Sequence, residues 1–152
     1  MNTRAQMTDI VDKKTRARMM AGIKGKNTKP ELALRQALHR SGFRFRLHCK
    51  NVVGRPDLVL AKHSAVIFVH GCFWHRHKGC RFATTPSTRT DFWKSKFEAN
   101  VKRDKFVRQE LLQNGWRVAT VWECALRKPD QMQVSVERLT LWLASTENEI
   151  EI

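Results

Sequence analysis

A chain of 152 residues with 41% hydrophobic content is large enough for one buried core and too small for several. Its 29 Lys and Arg stand against 14 Asp and Glu, a formal charge of +15, which points to a polyanionic partner. The longest buried-type run, residues 65–69, is too short to span a bilayer, and the start MNTRAQMTDI lacks the apolar core of a signal peptide, so a cytoplasmic protein with no membrane partner is expected. In such a reducing compartment Cys49, Cys72, Cys80 and Cys124 read as metal ligands or core thiols rather than disulfides.

Residues 1–26 read as a basic arm. Its part from 12 to 26 carries Arg16, Arg18, Met19 and Met20 with little apolar periodicity, as expected of a segment that orders on binding. A helix follows, because Thr28 and Glu31 form a capping-box pattern, Pro30 suits an early helical position, and Leu34 and Leu38 continue an apolar stripe; Gly42 should end it. Three strands are expected at 43–47, 57–60 and 65–70, the last continuously apolar and therefore central. The stretch 71–89, rich in Cys, His, Thr and Pro, is a long loop leading into a charged helix from about 90 to 113, which Asn114 and Gly115 stop. A buried-type strand at 117–122 and a helix after Pro129, carrying Met132, Val136, Leu139 and Leu143, complete the pattern. Glu147, Glu149 and Glu151 make residues 146–152 an acidic tail, expected to be flexible; without it, 29 cations face 11 acids, an excess of +18. The economical fold is a single α/β domain over 1–152, a mixed central sheet flanked by helices.

Cys72, His75, His77 and Cys80 fall within nine residues, and Cys124 follows a strand able to return to the same sheet edge. Three thiols and one imidazole, from Cys72, His77, Cys80 and Cys124, suit a structural zinc; His75 competes with His77, and Cys49 is the rival fourth ligand, though without a partner at ligand spacing. Such a closed site has no open position for catalysis, so chemistry must come from elsewhere. The absence of the H-x-E and P-C-x-x-C signature argues against a zinc nucleobase deaminase.

Asp57, after Gly-Arg-Pro, either caps a turn or, through hairpin geometry, comes beside the end of strand 65–70, where its carboxylate and a backbone carbonyl could hold Mg²⁺. Glu31 either closes the capping box or points at the same cation. His70 and His75 flank a Gly-Cys-Phe-Trp turn, and imidazoles can exchange a proton with water or a leaving oxygen. Asp104, on the long helix, is a surface ion-pair member or the acid that orients an imidazole. Phe73, Trp74 and Trp93 lie among cations, as base stacking or wedging requires, although Phe73 and Trp74 could equally pack over a zinc. Trp116 and Trp122 read as core.

The strings GRPD at 54–57, IFVHGCFWH at 67–75, H-x-x-C ending at Cys80, TRTDFW at 88–93, NVKRD at 100–104 and VWECAL at 121–126 closely resemble the very short patch repair (Vsr) endonuclease family, in family order and nearly throughout the chain to Leu126. The resemblance implies a restriction-endonuclease-like core and a strand-specific nick 5′ of the thymine in a T·G mismatch left by deamination of 5-methylcytosine. It implies Asp57 as principal Mg²⁺ ligand with the Val69 carbonyl, Glu31 acting through metal-bound water, His75 activating the attacking water, and His70 with Asp104 as a second imidazole and carboxylate pair. Phe73, Trp74 and Trp93 correspond to the aromatics that wedge beside the mismatch, and Met20 with its arm approaches the opposite groove. A monomer with repair-protein contacts is expected. Two departures are Val69, where the family often has Thr, and Gly79, an added residue between His77 and Cys80. Two rivals remain: a restriction-type nuclease cutting matched duplex, and a zinc-stabilised DNA-binding module without catalysis.

Overall fold

The computed structural model describes residues 27–152. The basic arm with Arg16, Arg18 and Met20 lies outside them. Helix α1 (Lys29–Arg40) begins where expected: the Glu31 N–H donates to Thr28 Oγ1 at 3.4 Å. Glu31 does not return that bond to Thr28 but accepts from the Asn27 N–H at 3.1 Å, and Gly42, at φ +95°, turns the chain away.

Strands β1 (Arg46–Leu47), β2 (Leu58–Leu60) and β3 (Ala65–His70) form an antiparallel meander. The first is shorter than expected because Phe43 and Phe45 leave the ladder to pack on the core. Helix α2 (Thr90–Gln113) then crosses to β4 (Arg117–Trp122), which pairs parallel with β3. Helix α3 (Pro129–Ala144) returns the chain to the sheet edge.

One expectation fails there. The acidic segment is not a flexible tail, since β5 (Glu149–Glu151) pairs parallel with β4 and extends the sheet to the order β1-β2-β3-β4-β5. Local composition concealed it, because the anchors are tertiary. Ile152 is buried, and the Arg117 guanidinium donates to the carbonyls of Trp142, Ser145 and Glu147, fixing the chain between α3 and β5.

Alternation along the strands gives the sheet two apolar faces. Leu58, Leu60, Ala65, Ile67, Ala119 and Val121 pack on one side with Leu34 and Leu38 of α1 and Leu139, Trp142 and Leu143 of α3. Val59, Val66 and Val118 face the other side beneath Leu111 of α2. The result is a helix–sheet–helix sandwich. Toward the carboxyl ends of β3 and β4 the second face opens into a cleft of about 1060 Å³, bounded by the Gly54 turn, α2 and β5. Open α/β sheets place their ligands beyond those strand ends.

Candidate functional site

The first polar cluster gathers at the start of β2. Asp57 does not cap its own turn: Oδ2 accepts the Val69 N–H at 2.7 Å, so it is fastened to the end of β3. In an extended strand the N–H and C=O of one residue leave from the same side, so the Val69 carbonyl leaves β3 on the same edge as the N–H that Asp57 accepts. Glu31, buried on α1, accepts from Arg35 at 3.0 Å and stands 2.9 Å from His48 Nε2. That imidazole also lies 3.8 Å from Asp57 Oδ1. Glu31 therefore leaves the capping box open: one oxygen accepts the Asn27 N–H and the other meets Arg35 and His48. Burial, assisted by Glu31 and opposed by the Val69 N–H, pushes the Asp57 carboxyl up to about 7. A bound cation would offset that penalty, and the donors of Glu31, His48 and Asp57 lie within 4.8 Å of one another, close enough to share one. His48 was not singled out from sequence, where a lone histidine beside Cys49 carries no signal.

The second cluster lines the cleft that Asp57 also reaches. His70 ends β3, and the turn after it brings back His75, whose ring stacks on that of His70 with centroids 3.9 Å apart and planes 5° off parallel. His75 Nδ1 is 2.6 Å from Asp104 Oδ2 on α2. The expected pairing of Asp104 with His70 is therefore corrected: the rotation of α2 presents Asp104 to His75, and His70 lies beneath that pair. With Nδ1–H donating to the carboxylate, the neutral His75 ring keeps its lone pair on Nε2, the arrangement of an oriented base. Burial, with His75 against it, holds the His70 imidazole down at about 3, so His70 is neutral at physiological pH.

Beside this pair the ligand atoms of Cys72, His77, Cys80 and Cys124 lie within 4.8 Å of one another, a set that could hold a metal ion. His77 Nδ1 is 3.7 Å from Cys72 Sγ and 3.4 Å from Cys124 Sγ. His75 is engaged with Asp104, so His77 is the imidazole grouped with the three thiols, and Cys49 packs half-buried against the small core beneath α2. Burial pushes the Cys72 thiol up to about 12 and raises that of Cys124, while the Phe82 N–H lowers that of Cys80. A thiol held so far up ionises only with a cation beside it. The added Gly79 fits as a left-handed turn residue, φ +71°, closed by the Cys80 N–H donating to the His77 carbonyl. Trp122 is buried, as expected of core, yet stacks on His77 at 4.2 Å and donates through Nε1 to Glu151 at 2.7 Å.

Phe73 and Trp74 belong to an aromatic group with α2. They pack edge to face on each other at 5.0 Å, and Phe73 meets Trp93 and Phe97 of α2 at 5.5 Å and 5.2 Å. Trp93 is buried here, so it supports the ridge, while Phe73 and Trp74 stay half-buried and Phe92 is exposed. Arg76 was missed by sequence reading. Its guanidinium lies 3.9 Å over Phe97 and donates to the carbonyls of Phe73, Ala83 and Thr84, tying the loop into one piece.

An α/β sheet whose strand ends offer a carboxylate cluster and a carboxylate-bound imidazole, in a cleft lined by Arg55, Lys78, Arg103, Lys105 and Arg108, is built for hydrolysis of a polyanion. A sequence profile of the family described as DNA mismatch endonuclease Vsr matches residues 8–81. The chain is 42% identical over 139 residues to the DNA mismatch endonuclease Vsr of Escherichia coli K12, covering 90% of this chain and 88% of that one. It is 48% identical over 120 residues to a Type II nicking enzyme, V.XorIIP, of Xanthomonas oryzae pv. oryzae (79% and 88%), and 41% identical over 133 residues to the nicking enzyme V.NmeAIP of Neisseria meningitidis (88% and 94%). The chain belongs to the Vsr family of DNA mismatch endonucleases.

Proposed function

We propose that this endonuclease nicks one DNA strand on the 5′ side of the thymine in a T·G mismatch, using a catalytic Mg²⁺ and a separate structural zinc. The observation that carries the reading is the 2.6 Å contact of His75 with Asp104, stacked on His70, in the same cleft as Asp57. His75 takes the proton of the attacking water at Nε2 as the oxygen bonds to phosphorus and one P–O bond breaks; Asp104 stabilises the imidazolium that forms. Neutral His70 offers a hydrogen bond to the phosphate without adding a second charge. Asp57 and the Val69 carbonyl would hold the Mg²⁺, with Glu31 acting through water bound to it, and the ion would supply charge stabilisation at the phosphate and leaving oxygen. The loss of a hydroxyl at Val69 leaves this carbonyl unaffected.

Zinc in Cys72, His77, Cys80 and Cys124 is supported by the donor set and by geometry: tetrahedral zinc with sulfur at about 2.3 Å and nitrogen at about 2.0 Å separates the two donors by about 3.5 Å. The contacts at 3.4 Å and 3.7 Å bracket that value. Fixing this loop holds Phe73 and Trp74 at the rim, where inserting a ring beside a mispair costs less unstacking than in matched duplex. Trp93 backs them from α2, and Met20, Arg16 and Arg18 would approach the other groove. The layered sheet is read as a restriction-endonuclease-like core, in a single domain acting as a cytoplasmic monomer. No helix among the described residues is long and apolar enough to cross a membrane.

The test compares T·G-mismatched, matched and unrelated duplexes, each with Mg²⁺ and with EDTA. The proposal expects one nick, in the thymine strand of the mispair, only with Mg²⁺. Equal double-strand cutting of matched duplex would overturn the specificity, and binding without cleavage would overturn the chemistry.

A further inference from the structure

The mechanism above leaves His48 without a role, yet its ring stands inside the carboxylate cluster. Nε2 is 2.9 Å from Glu31 Oε2 and 3.8 Å from Asp57 Oδ1, with the three side chains 19%, 2% and 15% exposed. They come from three places in the fold: the turn after β1, helix α1 and the start of β2. Donors about 2.1 Å from an octahedral cation stand about 3.0 Å apart on adjacent corners and about 4.2 Å apart on opposite ones. The first His48 distance matches adjacent corners, and the second lies between the two cases. The backbone fixes the ring there. His48 takes φ +47°, a conformation uncommon for a residue with a side chain, and its N–H donates to the Asp57 carbonyl at 3.3 Å, tying it to the strand start that carries Asp57.

We propose that His48 is a nitrogen ligand of the cation held by Asp57, completing a Glu31, His48 and Asp57 set that favours a first-row transition dication such as Mn²⁺ over Mg²⁺. This rests on the reading of Asp57 as a cation ligand and extends it in ligand set and metal class. Mg²⁺ is hard and takes carboxylate, phosphate and water oxygens, so an imidazole contributes little to its binding. Transition dications gain from the same nitrogen, and the gain rises along the first row.

The experiment uses the full-length zinc-loaded protein, titrated with Mn²⁺ and, separately, Mg²⁺, with pulsed electron paramagnetic resonance of the bound Mn²⁺. Wild type should show imidazole nitrogen modulation. His48→Gln should lose it while still binding Mn²⁺, with affinity reduced about tenfold or more, the scale of losing one supporting imidazole, and Mg²⁺ affinity changed less than about threefold. An oxygen-only spectrum in wild type, or modulation that survives in His48→Gln, overturns the proposal; the wild-type spectrum decides even if the variant misfolds. Asp57→Ala separates the two readings. Loss of both ions there with an oxygen-only wild-type spectrum overturns His48 alone, whereas undiminished binding in Asp57→Ala overturns the cation site itself.

Discussion

Asp57 and His70 are held in opposite protonation states by the same cause. Burial favours the neutral form of each, which raises the carboxyl to about 7 and lowers the imidazole to about 3. The stability consequences have opposite sign. Between pH 6.5 and about 3 the unfolded chain binds a proton at His70 that the folded protein refuses, so stability from this group is lost as pH falls through that window. In the metal-free protein Asp57 acts in reverse: from its ordinary 3.8 up to about 7 the folded state holds the extra proton, so stability falls as pH rises. Comparing wild type with His70→Asn cancels the Asp57 contribution. Urea titrations from pH 7 to 4 should show wild type losing more stability than the variant; parallel curves would contradict the assignment. Asp104→Asn tests the neighbouring pair. Its amide can still meet His75 but no longer stabilises an imidazolium, and single-turnover nicking should slow by about 10²- to 10⁴-fold with DNA affinity retained.

The turn that carries Asp57 is held by its own contact with Val69 and also by the approach of Gly54 to α2. Gly54 brings the turn before Asp57 against α2, at φ +77°, and a Cβ there would collide with the Val107 side chain. Gly54→Ala should therefore cost about 2 kcal/mol or more by strain and overpacking, measured by denaturant unfolding, and should also weaken nicking by displacing Asp57. Cys124 reaches the loop cluster from the turn after β4, so Cys124→Ser should lose tightly bound zinc in metal analysis; full retention would remove it from the ligand set. The elements legible in the sequence were those with their own signal: α1 from its cap, β3 and β4 from continuous apolar runs, and α2 from the Asn114 and Gly115 stop. Strand β5 was not, because Glu-Ile-Glu reads as solvated tail and only β4, Arg117 and the burial of Ile152 make it a strand.

Part of the +15 charge faces the cleft, where Arg55, Lys78, Arg103, Lys105 and Arg108 stand around Asp57, His70, His75 and Asp104. The acidic strand tempers it at one end, where Glu149 pairs with Arg108 at 2.9 Å. If Arg103 and Lys105 each neutralise a phosphate, their replacement by Ala should flatten the log–log salt dependence of binding by about 0.9 apiece and weaken matched and mismatched duplex alike. A selective loss on mismatched DNA would place them in recognition instead. The cysteine cluster was visible in sequence because its ligands are mostly close together. The pairing of Asp104 with His75 was misread, and His48 unseen, because each depends on how separate elements meet in space. On the proposed mechanism hydrolysis runs at Asp57, beside and not at the cysteine cluster. Asp57→Ala tests it most directly, through nicking of a T·G duplex measured alongside zinc content and DNA affinity. Nicking abolished with zinc and binding retained is the predicted result; full activity in that variant would contradict the account.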